Sequence, residues 1–256
     1  MPPTTDAVVI EYADPDDLAR LVATSPRPML VGLDVDGVLA PLVDHAADAA
    51  LLDGMSQAVS AVAALESVHV AVVSGRSLDG LAQFGFGDDV DVIGSHGMEI
   101  RDRPMEPLDA DERRRLIALD ALAVEAADRA GDGAWIERKP ASVVLHVRQA
   151  DAERGRHALD GLRSDAEGIA GATAKPGSNV LELFARHGDK GTALMHLAHQ
   201  LGAVTTVFVG DDVTDEDAFA HLGADDIAIK VGDAETIAPH RLADPTAVLA
   251  WLRALT

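Results

Sequence analysis

Met29-Leu30-Val31-Gly32-Leu33 is an unbroken apolar run that stops at Asp34-Val35-Asp36-Gly37. A strand covered on both faces has this character, because neither set of alternating side chains meets water. Val68 to Val73 repeats the pattern and ends in Ser74-Gly75-Arg76. Asp91 to Gly94, Thr205 to Gly210 and Asp226 to Val231 do so again, and Asp211-Asp212 follows the second of these. Helical spacing fills the gaps: an Ala/Leu/Val-rich segment from about Ala46 to Ser67, a helix over Asp189 to Leu201, and another beginning near Thr214. Asp244-Pro245 supplies an N-cap and a first helical residue for a terminal helix with Val248, Leu249 and Leu252 on its buried face. Strand and helix alternate, which predicts an α/β layer with a parallel sheet and right-handed crossovers.

The pattern changes after Ile100. Arg101-Asp102-Arg103-Pro104 and Pro107 mark a boundary, and Asp109 to Arg129 has helical spacing. Trp135 to Lys139 and Ser142 to Arg148 read as strands joined by a turn near Pro140; in the second, Val143, Leu145 and Val147 alternate with Val144, His146 and Arg148. A helix over Asp151 to Glu167 follows, then short strands over Ala172 to Lys175 and Asn179 to Leu183 around Pro176-Gly177. This block reads as a small α/β module inserted into the first domain. The predicted division is a core of residues 1–102 and 181–256 with an insertion of residues 103–180.

Composition narrows the function. The chain has 256 residues, 48% of them apolar, enough for one large domain or two small ones. Only 3% are aromatic, so Ala, Val, Leu and Ile must build the core. Forty-three acids against 21 Lys plus Arg leave a net charge of -22, which argues against a broad nucleic-acid surface. An anionic substrate stays open, because a metal and a few local cations reverse the field in one pocket. The absence of Cys excludes thiol catalysis, disulfides and thiolate metal sites. Met1 to Asp6 has no cationic segment before an apolar run, and no apolar stretch approaches membrane-spanning length. The expectation is a cytoplasmic monomer with no membrane or nucleic-acid partner.

Asp34 and Asp36 carry the first chemical signal. Two carboxylates at a strand end divide a phosphoryl transfer: one attacks phosphorus, the other protonates the leaving alcohol and then deprotonates water. Asp34, directly at the end of the apolar run, suits the nucleophile; Asp36, past the turn, suits the acid/base. The plain alternative is a pair of solvated turn acids. Asp211, Asp212, Asp215 and Glu216 after a second buried strand call for a compensating cation. Mg²⁺ fits, being hard, oxygen-loving and phosphate-binding. Asp211 joins Asp34 as the best direct ligand; Asp212 is placed to bind through water, and Asp215 to hold water or orient a nearby Lys. Capping of a helix by Thr214, with Asp215 and Glu216 in its first turn, is compatible with that role. Ser74 offers a hydroxyl to a phosphate oxygen, and Lys190 neutralises charge shared by phosphate and the catalytic acids. Arg76 has two readings, a substrate contact or a pair with an acid across a domain cleft. Glu137, Arg138 and Lys139, by composition alone, read as a charged edge strand.

Further segments extend the pattern: Leu33-Asp34-Val35-Asp36-Gly37-Val38-Leu39-Ala40-Pro41-Leu42, Val73-Ser74-Gly75-Arg76, Gly94-Ser95-His96-Gly97-Met98-Glu99, Glu137-Arg138-Lys139-Pro140-Ala141-Ser142, Lys175-Pro176-Gly177-Ser178-Asn179-Val180-Leu181-Glu182, Asp189-Lys190-Gly191 and Gly210-Asp211-Asp212-Val213-Thr214-Asp215-Glu216. With these the sequence resembles the trehalose-6-phosphate phosphatase family of the haloacid-dehalogenase superfamily. The resemblance implies a Rossmann-like parallel-sheet core, an inserted mobile α/β cap, and Mg²⁺-dependent hydrolysis of trehalose 6-phosphate, a small-molecule sugar phosphate. It implies that Asp34 is the nucleophile and Asp36 the acid/base, and that the Asp36 carbonyl joins Asp34 and Asp211 around the metal. It assigns Glu137 and Lys139 to the sugar hydroxyls, and His96, Glu99, Lys175 and Glu182 to positioning trehalose or the cap. Val38 stands where Thr is common in the family, and Phe184 where many relatives have Arg.

The other readings are a capped phosphatase for a different sugar phosphate and a non-catalytic sugar-phosphate sensor. Retention of Asp34, Asp36, Ser74, Lys190 and Asp211 counts against the sensor. A dinucleotide-binding oxidoreductase is disfavoured, because the first strand leads into Asp34-Val35-Asp36-Gly37 and not into a glycine-rich turn opening a helix.

Overall fold

The computed structural model describes residues 10–43, 46–103, 107–186 and 188–256. The segment Met1 to Asp6 and the boundary residue Pro104 lie outside the described residues. Contacts divide the chain into two units, Met1–Arg103 with Asp189–Thr256, and Pro104–Gly188.

The apolar runs of the first unit form the strands β1 (Met29–Leu33), β2 (Val68–Val73), β3 (Val90–Gly94), β9 (Thr205–Gly210) and β10 (Ile227–Val231). With β4 (Glu99–Ile100) and β11 (His240–Leu242) they make one sheet in the order β11-β10-β9-β1-β2-β3-β4. All neighbours are parallel except β3 and β4. Period-two alternation sends β1 side chains both ways. Met29, Val31 and Leu33 pack with α1 (Pro15–Ala23), α2 (Met55–Ala63) and α8 (Pro245–Ala254). Leu30 faces the cluster of Phe208, Leu194 and Leu197, which includes α6 (Lys190–Leu201) and α7 (Val213–His221). Helices therefore cover both faces, which is why these strands carry almost no polar residues. A short helix α3 (Leu78–Ala82) follows β2.

One element differs from expectation here. The segment 46–67 is not one helix: a 3-10 turn spans Ala46–Asp48 and α2 starts only at Met55, after Gly54 with φ +87°. The terminal helix forms as expected, with Asp244 accepting from the Ala247 amide at 2.9 Å.

The second unit holds α4 (Ala110–Ala130), β5 (Trp135–Arg138), β6 (Ser142–His146), α5 (Ala152–Glu167), β7 (Thr173–Gly177) and β8 (Val180–Phe184). Its antiparallel sheet runs β5-β6-β8-β7. The expected return at residue 181 falls inside β8, which is hydrogen-bonded on both sides; the first unit resumes at Asp189. Pro176-Gly177 lies in β7, and Ser178-Asn179 makes the turn, with Asn179 at φ +60°. Val143, Leu145, Leu181 and Leu183 pack on Leu119, Ala123, Ala126 and Leu162 of the two helices. The opposite side of the sheet carries Trp135, Glu137, Ser142, His146, Lys175 and Glu182, as the pairing Glu137↔Val144↔Glu182↔Lys175 requires.

Glu112 fastens the entry of this unit to its exit. It accepts from the Asp109 amide in a capping box and takes Arg186 bidentately at 2.9 and 2.6 Å, while Arg186 also donates to the Pro107 carbonyl at 2.9 Å. The Arg186 hydrogen bond, then that of the Asp109 amide, hold the Glu112 carboxyl down at about 2. A depressed acid stabilises the fold above its unfolded value and loses that contribution as pH falls through the folded one. Glu112→Gln should therefore weaken amide-exchange protection in the first turn of α4 at pH 7, and the difference from the parent should shrink steadily as pH falls from about 4.5 towards 2. A pH-independent difference would assign the effect to packing.

Candidate functional site

Register brings the chemistry together. Leu33 pairs with Val209 on one side and Val72 on the other, so β9, β1 and β2 end side by side. Asp34 follows β1 and donates its amide to the Val209 carbonyl at 3.0 Å; Ser74 follows β2 and donates its amide to Ile93 at 2.9 Å. Asp211 follows β9. Carboxyl ends of parallel strands are where open α/β sheets gather their reactive groups.

Asp34, Lys190 and Asp215 form the centre, and all three are buried. Lys190, the first residue of α6, donates to Asp34 Oδ2 and to Asp215 Oδ1, each at 2.8 Å. Asp34 Oδ1 accepts from the Val35 amide at 2.7 Å. Asp215 Oδ2 accepts from the amides of Asp211 and Asp212 at 2.9 and 3.0 Å. Asp215 thus orients the lysine, one of its two expected roles, and also shapes the turn that presents Asp211. Gly37 permits the approach of Asp211: at φ +74°, a Cβ there would lie 2.0 Å from Asp211 Oδ2.

The charges do not balance. Burial raises the pKa of Asp34; Lys190 opposes this, and Asp215 and Asp211 reinforce it. Burial works against the Lys190 charge, but Asp215 and Asp34 outweigh it and hold the ammonium above the ordinary lysine value. Asp211 is pushed up to about 7, first by burial, then by Asp215 and Asp212, with Lys190 and Lys230 offsetting part. Asp34, Asp211 and Asp215 offer oxygens within 4.8 Å of one another. Three clustered carboxylates facing one shared ammonium, all oxygen donors, fit a hard divalent cation.

The remaining predicted residues separate into groups. Asp36 is outside the triad: Arg76 holds both its oxygens, Nε to Oδ2 at 2.6 Å and Nη2 to Oδ1 at 2.7 Å. An acid of its own unit is thus one partner of Arg76. The Arg76 amide also donates to Ser74 Oγ at 3.3 Å. Asp212 is exposed and caps α7, accepting from Val213 N at 2.6 Å; it replaces Thr214 as the expected cap. His96 is buried in left-handed backbone at φ +55°, beside Ser95 at +49°, a conformation that non-glycine residues rarely adopt. Its ring lies against Gly75, where a Cβ would fall 2.6 Å from Cε1. Glu99 accepts from Ser95 Oγ and from the Leu78 amide at the start of α3, which makes it a brace for this turn.

In the second unit, Lys139 Nζ reaches Glu182 Oε1 at 3.0 Å, and Ser142 Oγ donates to the same oxygen at 2.7 Å. Glu137 Oε2 lies 3.0 Å from His146 Nε2, and Lys175 Nζ stands 6.0 Å over the Phe184 ring. Sequence reasoning passed over Lys230, a buried cation inside the apolar β10, whose ammonium meets Glu216 at 3.2 Å and the Asp212 carbonyl at 3.4 Å. One Lys in an otherwise apolar strand was the available signal.

The family model for trehalose-phosphatase matches residues 32–245. A probable trehalose-phosphate phosphatase 3 of Oryza sativa is 32% identical, covering 91% of this chain and 70% of that one. An uncharacterized glycosyl hydrolase of Mycobacterium tuberculosis is also 32% identical over 93% of this chain, which spans only 19% of it. The C-terminal domain of the Candida albicans trehalose-6-phosphate phosphatase superposes with a TM-score of 0.80 at 21% identity, covering 96% of this chain and 98% of that one. A haloacid-dehalogenase-like hydrolase from B. subtilis superposes at 0.62 with 18% identity, covering 89% and 99%. The fold is thus that of the haloacid-dehalogenase-like hydrolases. Within that class, the chain belongs to the trehalose-phosphatase family.

Replacing Lys190 leaves two buried carboxylates without their cation. Lys190→Met should cost about 3–5 kcal/mol of stability, the usual penalty for breaking a buried ion pair. Urea unfolding of the full chain measures it; a loss below about 1 kcal/mol would show that the acids simply take up protons in its place.

Proposed function

We propose that the chain hydrolyses trehalose 6-phosphate to trehalose and phosphate through an aspartyl-phosphate on Asp34. The observation that carries this reading is the buried Asp34, whose carboxylate is held by Lys190 at 2.8 Å within the Asp34-Asp211-Asp215 cluster of a trehalose-phosphatase family member. Asp34 attacks phosphorus, and the bond from phosphorus to the sugar oxygen breaks. Asp36 protonates that oxygen, then takes the proton from the water that hydrolyses the aspartyl-phosphate, which restores the Asp34 carboxylate. Each Asp36 oxygen accepts one hydrogen bond from Arg76, which leaves it a second lone pair for the transferred proton. Ser74 donates its hydroxyl to a phosphoryl oxygen, and Lys190 balances charge at Asp34. Asp34, Asp211 and the Asp36 carbonyl would hold Mg²⁺, which when bound supplies positive charge to the phosphoryl group. Asp212 contributes from outside that set, by capping α7.

The second unit supplies sugar selection. Glu137, Lys139 and Glu182, on the side of its sheet away from α4 and α5, present carboxylates and an ammonium suited to several hydroxyls. Lys175 shares that side, and His96 and Glu99 shape the first unit's turn behind Ser74.

Asp34→Asn should reduce turnover by on the order of 10³-fold or more while the protein stays folded. Chelation should abolish activity of the parent and Mg²⁺ should restore it; turnover that survives rigorous metal removal would refute the metal role. Selectivity is read from kcat/KM across trehalose 6-phosphate, sucrose phosphate, hexose phosphates and an aryl phosphate. A preference for a monosaccharide phosphate would sink the trehalose assignment. Glu137→Ala and Lys139→Ala should each cut kcat/KM for the disaccharide roughly tenfold or more, about 1.4 kcal/mol, with a much smaller loss on the aryl phosphate.

A further inference from the structure

Trp135 is out of place by the logic that builds the second unit. The apolar side of its sheet faces α4 and α5, and the neighbouring Ile136 packs there. Trp135 points the other way, on the side of Glu137, because alternate strand residues share a face. It remains 49% exposed, in a chain with only two Trp, and it contributes nothing to the core cluster. Yet the indole is held in place. The His146 ring stacks on it with centroids 3.8 Å apart and planes 2° from parallel. Register explains the contact, since Trp135 and His146 are directly paired across β5 and β6. The same imidazole reaches Glu137 Oε2 through Nε2 at 3.0 Å. One histidine therefore fixes both a flat aromatic surface and a carboxylate about 7 Å further along the strand.

A pyranose ring has complementary chemistry. Its C–H face is apolar and flat, and its rim carries hydroxyls. An exposed aromatic plane flanked by charged hydrogen-bonding groups meets both, and holding the plane in advance lowers the ordering cost of binding. We propose that Trp135 is a specificity-determining residue, the platform on which one glucose ring of the substrate stacks, with His146 as the positioning residue that aligns the indole and Glu137 for it. This rests on the trehalose 6-phosphate reading above. Trp135 supplies ring contact shared by substrate and transition state, so its removal should act on KM more than on kcat.

Tryptophan emission gives a test separate from catalysis. Trp251 is fully buried in α8 of the first unit and provides a steady background. In the full-length Asp34→Asn protein, trehalose 6-phosphate should produce a saturable change in emission, and adding Trp135→Phe should abolish that change. In the otherwise unaltered protein, Trp135→Ala should raise KM for trehalose 6-phosphate roughly tenfold with kcat nearly kept, and Trp135→Phe should recover most of the loss by retaining a flat ring. Turnover of an aryl phosphate should fall far less than that of the disaccharide phosphate, which also shows that Trp135→Ala folds. An unchanged KM in Trp135→Ala, or no change in emission at saturating substrate, overturns the platform while leaving the trehalose assignment intact. If the parent enzyme instead prefers another sugar phosphate, the assignment fails on that result alone. The emission titration is then run with the preferred sugar phosphate, where a saturable change that is lost in Trp135→Phe upholds the platform and its absence overturns it.

Discussion

The first unit depends on one buried ammonium. Lys190 bridges Asp34 and Asp215, and all three side chains are withdrawn from water. Removing even one such charge from solvent costs several kcal/mol unless a partner of opposite sign meets it with good geometry. The start of α6 must therefore sit at the end of β1, and the first turn of α7 must close against both. Asp215 extends the constraint by accepting the amides of Asp211 and Asp212, so the turn after β9 is shaped by the same network. Asp211 is left as a carboxylate with excess negative charge around it. The residual imbalance is one that a divalent cation would relieve.

The second unit solves a different problem. Its sheet has α4 and α5 on one side, so half of its strand residues are apolar and half are free to carry chemistry. Lys139, Ser142 and Glu182 form one polar group and Trp135, His146 and Glu137 another. Each combines a fixed carboxylate with a neighbour that orients it. The Glu112–Arg186 pair holds the two ends of the unit together, so this surface is built on a closed frame.

Much of this was readable from the chain, for a physical reason. Strands buried on both faces are apolar throughout, so an acid or hydroxyl at their ends stands out; Asp34, Ser74 and Asp211 were located that way. Lys190 was singled out as a cation able to neutralise phosphate and the catalytic acids, within the segment Asp189-Lys190-Gly191. Other features depend on distant partners and leave little local trace. Arg76 finds Asp36 forty residues away, a pairing that no local pattern announces. The return to the first unit was placed at residue 181, inside β8, and the pairing of that strand with β6 and β7 assigns it to the second unit. Thr214 and Asp212 are both good caps, and the end of β9 at Gly210 decides for Asp212. The helix α1 was missed although Asp14-Pro15 carries the same start signal as Asp244-Pro245. The strands β4 and β11, of two and three residues, are too short to show a period.

The strand order also sets a timetable for synthesis. β1 lies between β2, made soon after it, and β9, whose residues follow the whole of the second unit. At ordinary translation rates the interval between Leu33 and Thr205 is roughly ten to thirty seconds. Throughout it, the central strand of the eventual sheet has one flank with unpaired amides and carbonyls, bordered by apolar side chains, an arrangement prone to wrong pairing. Meanwhile the second unit has all its own strands and can close. The nascent protein thus carries a finished appendage on an unfinished middle, and a chain stalled before residue 205 would have a sticky edge and no site.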